Sequence, residues 1–154
     1  MYELLLFVHI VAAVVWVGGS FTMQVLSHLV RRTGDAARRA AFGSELEWIG
    51  SKVFTPASGI VLLFGILLVI DGNWSWGEPW VGGGLLIWLV STVIGAAFFG
   101  PELGRIGQLA AVEGPDSPAV NARVQRLLLV SRIDLALLIL AIFLMATKPG
   151  TAGV

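Results

Sequence analysis

Glu3–Arg32 reads ELLLFVHIVAAVVWVGGSFTMQVLSHLVRR, with no Asp, Glu, Lys or Arg between Glu3 and Arg31. As a helix rising about 1.5 Å per residue it is roughly 40 Å long, more than the hydrocarbon core of about 30 Å. The stretch reads as a transmembrane helix. It also holds both histidines of the chain, His9 and His28. Ionisable groups are expensive at membrane depth, so each marks a candidate site.

The composition around this stretch is that of a polytopic membrane protein. Of 154 residues, 56% are hydrophobic and 13% charged, against about 25% charged in soluble domains. Mean hydropathy is +0.86. A formal net charge of zero gives no electrostatic case for nucleic acid. The absence of cysteine removes disulfides, thiolate metal sites and cysteine nucleophiles. The first span lacks a basic flank before it and exceeds an ordinary signal-peptide core, so a retained helix is expected.

Three further apolar runs follow, giving spans of about Leu4–Val30, Val53–Ile70, Trp80–Phe99 and Leu127–Thr147. Pro near a helix start, and Gly or Pro past its end, punctuate them. Thr55-Pro56 opens the second, Gly100-Pro101 closes the third and Lys148-Pro149-Gly150 closes the fourth. A proline at the start would act as a cap. If the helix begins earlier, Pro56 bends it and frees a carbonyl. Arg31, Arg32, Arg38, Arg39, Lys52, Arg105, Arg123, Arg126 and Arg132 lie at one end of the spans, and Lys148 alone lies at the other. This bias predicts both termini outside and both long connections in the cytoplasm. The expected location is a cell membrane of the bacterial inner-membrane type.

The short outer turn, DGNWSWGEPW, carries Trp74, Trp76 and Trp80. It reads as an interfacial aromatic belt, with a ligand lid as the alternative. In the long connections, Phe42, Leu46 and Ile49, then Leu103, Ile106 and Ala110, recur at helical spacing. Both segments are expected to extend the spans as helix or to lie on the membrane surface. Glu113–Pro118 is the clear loop. The expected architecture is all-α, one four-helix transmembrane domain over residues 1–154 in up-down order.

On a helical first span, His9, Ala13, Trp16, Ser20, Met23 or Gln24, and Ser27 share one stripe, the small and polar kind that helices bury against each other in lipid. His9 should therefore face the bundle. It reads either as a ligand for haem iron or a metal, or a proton relay, or as a buried imidazole bonded to a neighbouring carbonyl or hydroxyl. His28, about 28 Å further along the helix, reads as interfacial. Asp134, roughly 10 Å inside the last span, needs a partner from another helix, because Arg132 is two residues away and faces elsewhere. His28, Gln24 and Lys52 are the candidates. Asp134 is either a charged clamp or a proton or substrate-carboxylate site. Gly82-Gly83-Gly84 lacks the Lys-Ser/Thr of a phosphate loop, and no HExxH, GxSxG or CxxC motif occurs, so a hydrolase is not expected.

His9-Ile10, Trp16, Gly19, Phe21 and the basic residues after them form a pattern that resembles the start of HemJ-type protoporphyrinogen oxidases. The same pattern is similar to CopD-like membrane domains and to a family of predicted integral membrane proteins of unknown function. Pro56 with Gly65, the Arg132/Asp134 pair and Lys148-Pro149 add to the resemblance. It implies a small helical bundle in which His9 is a haem b ligand, Trp16 lies at the cofactor and Lys148 is near the substrate. HemJ-type proteins have a His and a Lys in the third span region, where EPWVGGGLLIWLV has neither, and Asp134 stands where their Asn-Glu pair is expected. The uncharacterised family is the better match. Three functions follow: a haem-binding or redox protein, a transport or accessory subunit docked in a larger complex or a homodimer, and a porphyrinogen oxidase.

Overall fold

The computed structural model describes residues 1–32 and 35–150, which form four long helices with no strand among them. Helix α1 comprises Tyr2–Ala13, a wide π-helical turn at Val14–Gly18 and Gly19–Arg32. Helix α2 comprises Ala36–Ile49, a second such turn at Gly50–Phe54 and Thr55–Asp71. Helix α3 comprises Pro79–Val93, a third at Ile94–Phe99 and Gly100–Glu113. Helix α4, Pro118–Thr147, is regular throughout. All four are long and apolar enough to cross a membrane.

The wide turns have local causes. Proline has no N–H to donate, and its ring crowds the carbonyl four residues earlier. For Pro56 that carbonyl is Lys52's and for Pro101 it is Ala97's, and both sit inside a π-helical turn. Opening the turn relieves the clash without breaking the helix. Thr55 Oγ1 donates to the Gly50 carbonyl at 3.0 Å, taking up an acceptor at the second turn. In α1, Ser20 and Thr22 donate to the carbonyls of Trp16 and Gly18, each at 2.8 Å, a back-bonding that bends helices. So Pro56 lies within a helix that starts in the preceding connection. Gly100-Pro101, expected to end α3, is instead traversed. The two amphipathic segments continue α2 and α3 instead of lying flat.

The helices form a closed ring in which α1 packs on α2, α2 on α3, α3 on α4 and α4 on α1. The central core draws one large contributor from each: Trp16, Ala57 with Phe54, Trp88, and Leu138. A second cluster, Val69, Trp80 and Val81, is packed by Trp74, Leu85, Leu144 and Met145 near the 72–78 turn. Outside, Leu4, Phe7, Val14, Leu63, Leu86 and Phe143 are all more than half exposed. Only 11–22% of each apolar window is buried, so most of the apolar surface faces outward, as lipid requires and water forbids.

Gly84 is buried where α3 faces α4, and a Cβ there would displace the flexible tip of Met145, so a full side chain overfills the space, whereas a Cβ on Gly82 meets nothing. Gly84→Leu should lower stability in detergent by about 1–3 kcal/mol through overpacking. Gly82→Leu should be neutral or raise stability by up to about 1 kcal/mol through helix propensity. Thermal unfolding of the two variants side by side checks this.

Candidate functional site

The imidazole of His9 faces α2. Its Nδ1–H donates to the Val61 carbonyl at 2.9 Å. Val61 and Gly65 are one turn apart, and Gly65 makes room, since a Cβ there would lie 3.2 Å from His9 Cε1. The carbonyl only accepts, so the proton is on Nδ1. Nε2 makes no hydrogen bond to the described residues.

Three more side chains bond across helices at membrane depth. Trp88 Nε1–H on α3 donates to the Ser58 carbonyl on α2 at 3.0 Å. Ser91 on α3 donates to a carboxylate oxygen of Asp134 on α4, and both residues are buried. Gln24 Nε2–H on α1 donates to the Ser131 carbonyl on α4 at 2.9 Å. With His9–Val61, each of the four neighbouring helix pairs in the ring is closed by one polar bond.

The partner of Asp134 is therefore Ser91, not His28, Gln24 or Lys52. His28 and Lys52 are exposed, and Gln24 meets α4 one turn earlier. Asp134 is buried, as are Leu135 and Leu138 on the inner side of the same helix, while Arg132, two residues back, is exposed. Trp16 is part of the central core beside Ala57 and Leu138. Lys148 caps α4 with left-handed backbone, φ 42°. Its Nζ lies 4.4 Å from the Trp74 ring centre and 5.4 Å from that of Trp80. These two rings meet edge to face at 5.3 Å. Cation–π contact thus ties the carboxyl end of the last helix to the tryptophan turn. His9 and Lys148 have separate sets of contacts.

Sequence reading passed over Glu102. It is 3% exposed and accepts from Arg123 on α4 at 2.9 Å, with Arg105 at 3.6 Å. Its sequence signal is an acid placed just after Pro101 among arginines used only for orientation. Arg39 pairs with Asp116 at 2.6 Å, tying the start of α2 to the α3–α4 loop. Between these ion pairs and the end of α1 lies a cavity of about 710 Å³, walled mainly by apolar side chains of all four helices. Among the described residues, no three His, Asp or Glu side chains are grouped to hold a metal ion.

Four apolar helices with polar side chains turned inward define an integral membrane protein. The chain belongs to the family described as predicted integral membrane protein (DUF2269), whose model matches residues 3–149. No curated protein and no solved structure matches it.

A double-mutant cycle tests the buried Ser91–Asp134 contact. Ser91→Ala and Asp134→Ala should each destabilise the protein, with a coupling of about 1 kcal/mol between them, the range measured for polar contacts between membrane helices. Unfolding in mixed micelles gives the value.

Proposed function

We infer that the protein is a non-enzymatic membrane component, a transport or accessory subunit that works by binding. The carrying observation is where its deep polar groups go. His9 and Asp134, the two that could do proton or metal chemistry, are engaged in holding helices together. Buried polar groups that specify packing are a common use of such residues in lipid. Helices α2 and α3 also run roughly 50 Å, well past the hydrocarbon thickness. Val112, near the far end of α3, is 85% exposed, which suits contact with a partner subunit or a second copy. In this reading the arginine-rich end faces the cytoplasm of a bacterial inner membrane and both termini face outside.

One observation favours a second reading, a haem b on His9. The Nδ1–H bond to Val61 fixes the tautomer whose Nε2 lone pair is available, as second-shell bonds do for ligating histidines. His9 would hold the iron through Nε2, and any further ligand would have to come from a second copy or another residue type. When bound, haem supplies a one-electron couple. Trp16 is a wall of the bundle core on the same helix face. Lys148 engages the tryptophan turn.

Purification of the full chain in mild detergent from haem-replete cells decides between the readings. The inference expects a colourless protein that elutes in a defined stoichiometric assembly. A Soret band that His9→Ala abolishes would overturn it in favour of haem. A lone, colourless monomer would contradict the accessory role.

A further inference from the structure

The cavity at the arginine-rich end has the polarity of a lipid. Arg31 and Arg39 line it where α1 ends and α2 begins. Toward the middle of the bundle its walls are mainly apolar, with Phe42 and Leu46 on α2 and Leu127 and Leu128 on α4. On α2, Arg39 and Leu46 are seven residues apart, roughly 10 Å along the helix. A volume of about 710 Å³ falls within the range of small-molecule sites. Glu47, the acidic residue of the lining, is exposed.

A second observation concerns Arg39 itself. One terminal nitrogen is paired with Asp116, and its Nε is buried with no hydrogen-bond partner among the described residues. The Arg39 side chain keeps a quarter of its surface exposed, and an anionic oxygen is the acceptor that a guanidinium bonds best. Guanidinium suits phosphate because it presents several N–H groups in a planar fork. Basic pockets between membrane helices recognise anionic headgroups by this chemistry.

We propose that this cavity binds an anionic phospholipid from the adjoining leaflet, with its phosphate at Arg31 and Arg39 and an acyl chain running toward Leu127 and Leu128. The head then lies at headgroup level and the chain points toward the hydrocarbon, the orientation the molecule has in the bilayer. The site is separate from the polar bonds of His9 and Asp134, and it stands whether or not the protein is an accessory subunit.

Glycines make the test clean. Gly43 and Gly107 line the cavity, and a Cβ on either meets nothing within 4 Å. Gly107→Leu should therefore fill the cavity while leaving the melting temperature equal or higher. Native mass spectrometry of the full chain in detergent would follow retention of phosphatidylglycerol, phosphatidylcholine with the same chains, and palmitate. The expected result is phosphatidylglycerol retained at least tenfold better than phosphatidylcholine or palmitate. Arg39→Gln should abolish the preference over phosphatidylcholine. Asp116→Asn, which keeps the guanidinium, should preserve it. Gly107→Leu should lower phosphatidylglycerol retention about tenfold. Equal retention of the two phospholipids, or stronger retention of palmitate, would overturn the proposal. So would undiminished phosphatidylglycerol binding by folded Gly107→Leu protein, which decides the matter if Arg39→Gln does not fold.

Discussion

Hydrocarbon neither donates nor accepts a hydrogen bond, so a polar side chain placed at membrane depth must find its partner inside the protein. Here that constraint is met helix by helix. His9 reaches α2, Trp88 reaches back from α3 to α2, Ser91 meets Asp134 on α4, and Gln24 joins α1 to α4. The bonds form a circuit around the bundle. A rotation of any one helix by a few tens of degrees would strand at least two polar groups. Apolar side chains, which are as comfortable against lipid as against each other, exert no comparable control.

That difference explains the sparse interior. Among the described residues no side chain is fully buried, and the core is a thin string of residues about Trp16 and Leu138 and about Val81. Close approach comes from small residues instead. Gly65 admits the His9 ring, and Gly84 admits Met145. The first of these couples packing to polarity, because a bulkier residue at 65 would push the imidazole off the Val61 carbonyl. Beyond membrane depth the attachments become ionic, through Glu102 with Arg123 and Arg39 with Asp116. The Arg39–Asp116 pair, whose carboxylate is exposed, holds less tightly, and it sits at the end of the bundle where the cavity lies.

Much of this was legible in the residues. Four apolar runs, the inward stripe of His9, Trp16 and Gln24, and the need of Asp134 for a partner on another helix all follow from helical periodicity and from the cost of charge in lipid. The partner itself did not follow. Periodicity fixes which face of one helix a residue occupies but not the height at which a neighbouring helix meets it. Nothing in the third span's own pattern therefore marks Ser91 as the residue at that height. Pro101 misled for a related reason. Proline after glycine ordinarily stops a helix, but a wide turn before it absorbs the clash, and the helix continues to Glu113. Glu102 was invisible because its burial depends on that continuation.

The circuit rests most directly on the bond from His9 to Val61, and the chain offers a clean view of it, having only two histidines. Solid-state ¹⁵N NMR of the protein in lipid, with the imidazole nitrogens and the Val61 carbonyl labelled, reads the proton's place. The account predicts a protonated Nδ1 on His9 with through-space contact to the Val61 carbonyl carbon. A bare Nδ1, or a protonated one without that contact, would contradict it.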